Sequence, residues 1–156
     1  MPEATDQTAM SLSNYILPRD FQEALALRST LSEAALIAGG TAAQLGWPEG
    51  RWPGPVLDMS RIVAPAPRIG DGVLRLSAFS RLETLRLDPV VQHACPPLAG
   101  MISQIAATAV RHLATLGGNI GWRYGDLVPL LLALDARLAG EQDLSLIPIS
   151  APTRPY

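Results

Sequence analysis

The chain has 156 residues, of which 48% are hydrophobic and 17% charged, enough for the core of one domain of ordinary size. A net charge of −2 with no basic run disfavours a general nucleic-acid binder, which must neutralise phosphates. The single Cys95 excludes an internal disulfide and fits a reducing compartment, and no zinc-type Cys/His spacing is present. The polar start "MPEATDQTAM" has no apolar h-region. The most apolar segment, "LVPLLLALDARLAG", is broken by Pro129 and Asp135 and falls short of the roughly 20 residues of a membrane span. The expectation is a soluble, cytoplasmic protein without membrane insertion.

In chain order, residues 1–13 read as a disordered leader and "NYILP" (14–18) as a short strand. "RDFQEALALRSTL" predicts a helix with Asp20 as its cap and Glu23 completing a capping-box pattern. "AALIAGG" predicts a buried strand entering a tight turn. A Gly/Pro/Trp-rich loop (46–55) follows, then a strand "VLDMSRI" (56–62). "APAPRIGDG" (64–72) reads as a linker and "VLRLSA" (73–78) as a strand. "SRLETLRLD" predicts a short helix capped by Ser80. Residues 89–115 read as mostly helical, interrupted at Pro96 and Pro97, with Met101, Ile105 and Thr108 on one face and Ile102 beside it. The fold class is α+β, with one lobe over 14–63, the linker over 64–72 and a second lobe over 73–143.

Two turns share one logic. "AGGT" (38–41) and "TLGGN" (115–119) each have an apolar approach, Gly-Gly, then a small polar residue. Glycine permits positive φ and a close backbone approach. Successive N–H groups in such turns form anion-binding concavities. Thr41, Thr115 and Asn119 add side-chain donors, so two such turns on separate lobes would clamp a diphosphate. For any single Gly-Gly the default is a strand-end turn with no ligand. Neither turn forms a GxGxxG fingerprint or a P-loop.

From about residue 14 to 140 the chain resembles the FAD-binding subunit of the molybdenum hydroxylases, the xanthine dehydrogenase and carbon monoxide dehydrogenase group. The residues that carry this are "YILP" with "FQEALAL", "LIAGGT", "VLDMSRI", "LRLSAFSRLETL", "DPVVQHACPPLAGMISQIAATAVRHLATLGGNI" and "GDLVPLLLALDARL", in that order. The resemblance implies the two-lobed FAD-binding fold of p-cresol methylhydroxylase and vanillyl-alcohol oxidase, incomplete at its C-terminus. It implies that Ile37, Ala38, Gly39, Gly40, Thr41 and Ala42 wrap the FAD diphosphate. It implies further contacts from Thr115, Gly117, Gly118 and Asn119, and from Asp126, whose carboxylate accepts from a hydroxyl or amino donor. No catalytic acid–base pair, nucleophile or metal ligand is expected in this chain. The implied function is electron transfer: iron–sulfur clusters on a small partner subunit feed FAD, a molybdenum-binding large subunit performs the hydroxylation, and FAD passes electrons to NAD+, oxygen or a quinone. The alternatives are a free-standing flavoprotein oxidase of the same fold, or a truncated assembly module that no longer binds FAD.

The sequence departs from the family pattern at several points. Ala42 follows AGGT where the family often has Asp, and Val110, Arg111 and His112 precede the second turn where it often reads Ile-Arg-Asn. Residues 144–156, "LSLIPISAPTRPY", resemble the translation of a transposase-type sequencing adaptor, commonly "LSLIHISEPTRPY", from which Pro148 and Ala151 depart. The expectation is a non-native tail there; a natural proline-rich terminus is the rival. His112 is read as a polar cap before a proton carrier, and Cys95, near His93, as a small core residue. Trp47 and Trp52 are read as loop packing, while Trp122 is open between packing and cofactor cover. Arg123 is read as a solvated loop arginine, and Asp58 and Asp135 as structural residues at element ends.

Overall fold

The structure, a computed structural model, describes residues 15–43, 54–122, 124–139 and 144–145. The leader 1–13, Trp47, Trp52, Arg123 and most of the tail lie outside the described residues. Strand β1 (Tyr15–Ile16) leads through Pro18 into helix α1 (Phe21–Thr30). The Asp20 side chain accepts from the Glu23 N–H at 2.8 Å, and the Glu23 carboxylate accepts in return from the Arg19 N–H at 2.6 Å. The reciprocal cap therefore forms one residue further out than the standard capping box.

Strand β2 (Ala35–Ile37) and strand β3 (Val56–Asp58) complete a three-stranded parallel sheet in the order β1-β3-β2. Central β3 is buried at every position, so it reads as a continuous apolar run with one polar end. The buried strand expected over 34–40 is shorter and lies at the sheet edge, with Leu36 53% exposed, because only β3 pairs on both sides. The expected strand 56–62 stops at Asp58. Its side chain accepts from the Ser60 N–H at 2.8 Å and turns the chain into a 3₁₀ turn, Met59–Arg61. Asp58 also accepts from the Tyr15 hydroxyl, which fixes β1 beside β3. Ala24, Ala34, Leu57 and Met59 form one apolar cluster, with Leu27, Ala38 and Phe79 packed on it.

The stretch read as a linker contains strand β4 (Arg68–Gly70), paired antiparallel with β5 (Val73–Arg75). Asp71 and Gly72 between them both have positive φ, 53° and 73°, the pattern that Asp-Gly hairpin turns favour. Strand β5 is the first half of the strand expected over 73–78, and only β4, inside the stretch read as a linker, was not expected.

Helix α2 (Leu82–Leu87) begins at Arg81, which gives no side-chain cap; Ser80 is buried instead of capping. The expected long helical run is three helices: α3 (Pro89–Ala94), α4 (Pro96–Ser103) and α5 (Thr108–Leu113). Asp88 caps α3, accepting from Val90 and Val91 N–H groups at 2.8 and 3.2 Å. Pro96 and Pro97 open α4, where missing N–H groups are harmless. A second break falls at Ala106, with φ 46°. That break turns Thr108 outward. The buried face is Leu98, Ile102 and Ile105, not Met101, Ile105 and Thr108. Helices α6 (Leu116–Gly121) and α7 (Val128–Ala133) follow, and β6 (Leu138–Ala139) pairs antiparallel with β7 (Leu144–Ser145). Leu82, Leu85, Val91, Leu98, Ile102, Ile105, Leu116 and Leu127 form the second apolar cluster, with Cys95 on its margin as expected. Among the described residues no helix is long and apolar enough to cross a membrane.

Candidate functional site

Both glycine turns meet at one place. Beyond β2 the chain bends through Ala38 and Gly39. A Cβ at Gly39 would lie 2.1 Å from the Leu113 carbonyl oxygen and 3.1 Å from the Ala114 Cα. Both are backbone atoms just ahead of "TLGGN", so Gly39 is the residue that lets the first turn touch the second. Gly40 has a different requirement. Its φ of 66° is left-handed, but a Cβ there would meet nothing within 4 Å. The first glycine serves contact and the second serves chain direction. The N–H groups of Gly39, Gly40, Thr41 and Ala42 find no acceptor among the described residues. Four consecutive donors in one turn form the kind of row that suits an anionic ligand. Ile37, paired with Asp58, ends the strand that delivers them.

The second turn is built otherwise than expected. "TLGGN" is the first turn of α6, not a strand-end turn. Thr115, 3% exposed, is the N-cap, and its Oγ1 accepts from the Gly118 N–H at 3.0 Å. The Leu116 N–H goes to the Ser80 carbonyl at 2.9 Å, that of Gly117 to Ala78 at 2.7 Å, and that of Asn119 to Thr115 at 2.9 Å. The amides at this helix start are all engaged within the protein and offer no concavity to an anion. The glycines answer to packing. A Cβ on Gly117 would sit 2.9 Å from the Ala78 Cβ and 3.0 Å from its carbonyl oxygen. A Cβ on Gly118 would meet only the Thr115 Oγ1, at 2.9 Å. What remains available on this side is side-chain chemistry. The Thr115 hydroxyl keeps its own proton to donate. Asn119 uses its Oδ1 to accept from the Leu127 N–H at 3.0 Å, which leaves its amide nitrogen as a donor. Asp126 is exposed, two residues ahead of the first residue of α7.

Three features at this junction carried no sequence signal that singled them out. Gly125 lets the loop back return to α6: a Cβ there would lie 1.9 Å from the Asn119 carbonyl oxygen. Its position before Asp126 in "WRYGD" was the available hint. Arg81 reaches both turns, with Nη1 donating to the Ala38 carbonyl at 3.4 Å and to the Leu113 carbonyl. Arg111, on α5 ahead of the second turn, is buried. Its Nε donates to Glu83 at 2.7 Å, its Nη1 to the Ile105 and Ala106 carbonyls at 2.9 and 2.8 Å, and its Nη2 to the Thr108 hydroxyl at 2.9 Å. Arg86 pairs with the same Glu83 at 2.6 Å. The hydrogen bonds from Arg86 and then Arg111 hold the Glu83 carboxyl down at about 2, from an ordinary 4.5. The Tyr15 phenol is pushed up to about 12, first by its hydrogen bond to Asp58, then by burial and the Asp58 charge.

A cavity of about 320 Å³ opens beside the junction, with Met59, Ile62 and Phe79 on its apolar side and Arg81, Asp88 and Thr115 on its polar side. That is the lower end of the size range of small-molecule pockets. His112 is exposed in the last turn of α5. Trp122 is half-buried and stacks edge-on with Tyr124, ring centroids 6.2 Å apart. Among the described residues no group of three His, Cys, Asp or Glu could hold a metal ion.

Comparison with known proteins defines the class. Residues 8–146 match the family profile described as the FAD binding domain in molybdopterin dehydrogenase. The chain belongs to that family, whose cofactor is FAD. Among solved structures it is similar to a carbon monoxide dehydrogenase from Hydrogenophaga pseudoflava that lacks the Mo-pyranopterin moiety of its molybdenum cofactor, at 31% identity and a TM-score of 0.62. It is similar also to quinoline 2-oxidoreductase from Pseudomonas putida 86, at 26% identity and a TM-score of 0.60. Each match covers 69% of this chain and 38% of the other. Reconstituted CO dehydrogenase from Oligotropha carboxidovorans shares the fold at 23% identity and a TM-score of 0.62, over 68% of this chain and 38% of that one. The chain thus spans well under half the length of the structures it matches. No curated protein sequence matches it.

Proposed function

We propose that this chain binds FAD and serves as the electron-transfer part of a molybdenum-containing hydroxylase or dehydrogenase. The observation that carries the reading is the run of four amides, Gly39 to Ala42, without an acceptor among the described residues, in a turn packed against the second glycine segment. A diphosphate needs such donors, and a side chain at Gly39 would force apart the junction that holds them in place. In this reading Ile37, Ala38, Gly39, Gly40, Thr41 and Ala42 wrap the diphosphate. On the other side Gly117 and Gly118 allow close approach, Thr115 and Asn119 donate from their side chains, and Asp126 accepts from a hydroxyl or amino group. FAD, when bound, supplies the redox chemistry; the chain binds and orients it. The two-lobed fold of the p-cresol methylhydroxylase and vanillyl-alcohol oxidase type, divided at 64–72, suits a cofactor held between its halves. The partners in this reading are an iron–sulfur small subunit that delivers electrons and a molybdenum-binding large subunit, in the cytoplasm, with NAD+, oxygen or a quinone as acceptor.

The test is a titration of the purified chain with FAD, followed by visible absorbance and by quenching of flavin fluorescence. The expected outcome is saturable binding that Gly39→Val abolishes in a chain still folded by circular dichroism. A wild-type chain that stays colourless and quenches no flavin fluorescence overturns the reading and favours a module that no longer binds the cofactor.

A further inference from the structure

Arg81 stands where the two glycine turns meet, and its role follows from peptide geometry. Its Nη1 donates to the carbonyls of Ala38, at 3.4 Å, and of Leu113. Around it, Arg81 and Thr115 form an isolated antiparallel bridge, and the Leu82 N–H donates to the Ala114 carbonyl at 2.9 Å. The α2 start is therefore anchored to the segment before α6, and the guanidinium extends from that anchor to the AGGT turn. Among the described residues no carboxylate pairs with Arg81: the ion pairs involve Arg19, Arg86, Arg111 and Arg137. The peptide bond from Ala38 to Gly39 is trans, as are all those described. In a planar trans peptide the C=O and N–H point in opposite directions. A donor that fixes the Ala38 carbonyl thus fixes the Gly39 N–H, aimed away from α2.

We infer that Arg81 is a positioning residue for the anion-binding turn: it holds the Gly39 amide, the first of the four donors, in its ligand-facing direction. This rests on the FAD reading for the identity of the ligand, but the clamp itself is a property of the ligand-free chain. The guanidinium acts through the Ala38 carbonyl, not by touching the phosphate. Preorganised donors bind more tightly than mobile ones because their ordering is already complete.

The test compares wild type with Arg81→Met, which keeps length but removes the donors, and Arg81→Lys, which keeps charge and donors. Two quantities are read: backbone ¹⁵N order parameters of Gly39 and Gly40 without FAD, and the FAD dissociation constant from fluorescence quenching. Arg81→Met is expected to drop the order parameters from rigid values near ~0.85 toward ~0.6. It is expected to raise the dissociation constant about tenfold, the scale of one lost charged hydrogen bond. Arg81→Lys is expected to restore most of both. Thermal unfolding of all three chains confirms that they fold. Unchanged order parameters in a folded Arg81→Met overturn the inference, whatever happens to FAD. A loss in Arg81→Met that Arg81→Lys does not recover also overturns it, because packing would then be the cause. A wild type that binds no FAD overturns the functional reading, while the order parameters still decide the clamp.

Discussion

Gly39 and Gly40 are neighbours with different reasons for lacking a side chain. At Gly39 an added methyl would have to sit 2.1 Å from a backbone oxygen, which no rotamer change relieves. At Gly40 the space is open and only the left-handed φ of 66° resists a Cβ. Gly39→Ala should therefore lower unfolding free energy by about 3 kcal/mol, the upper part of the range for overpacking. Gly40→Ala should lower it by about 1 kcal/mol, the strain of one residue in the left-handed region. Urea denaturation of both variants checks the ranking. Equal losses would mean that the junction between the turns is looser than the structure shows. The same pair separates stability from binding, because Gly40→Ala leaves all four amides in place.

Among the elements, α6 shows most clearly what the sequence could and could not convey. "TLGGN" announced a tight backbone approach, and the approach is there, between Gly117 and Ala78. It did not announce a helix, because two glycines at the helix start oppose helix propensity by about 1 kcal/mol each. Tertiary bonds override that propensity: the Leu116 and Gly117 amides are taken by Ser80 and Ala78, and Thr115 caps Gly118. Thr115→Ala should then lower stability by about 1 kcal/mol in thermal or urea unfolding, the usual loss for a missing cap. Thr115→Ser should lose little, since the hydroxyl does the capping. Elements with their own local signals were legible: α1 from Asp20 and Glu23, the α4 start from its prolines, β3 from its apolar run. Strand β4 hid inside a proline-rich stretch, although its Asp71-Gly72 turn was present to be read. The kinship of "AGGT" and "TLGGN" was legible as a shared motif, but the direct packing of Gly39 on Leu113 and Ala114 was not. Arg81 was not, because its partners are carbonyls 43 and 32 residues away, and carbonyls leave no mark on sequence.

At the scale of the whole molecule, two polar ties hold the secondary elements together, and they respond to opposite ends of the pH range. Glu83 on α2, 3% exposed, joins Arg86 of its own helix to Arg111 of α5. Arg111 in turn holds the carbonyls of Ile105 and Ala106 at the break before α5. The Glu83 carboxyl titrates near about 2 in the folded chain, against an ordinary value of 4.5. A depressed carboxyl stabilises the fold fully above the ordinary value, and that contribution disappears as pH falls from about 4.5 to about 2. Tyr15 on β1 works in the other sense. Its phenol is raised from 10.0 to about 12, so its contribution is complete below pH 10 and is lost as pH rises from there to about 12. Urea midpoints measured across pH should therefore show both slopes. Glu83→Gln should be less stable than wild type at pH 6, with the gap narrowing as pH falls toward 2. Tyr15→Phe should show its gap at pH 8 and lose it toward pH 12. A gap for Glu83→Gln that stays constant down to pH 2 would mean that the carboxylate is not what holds Arg111 of α5 against α2. In that case Arg111 would be held by its bonds to the Ile105 and Ala106 carbonyls, and the α2–α5 contact would rest on apolar packing.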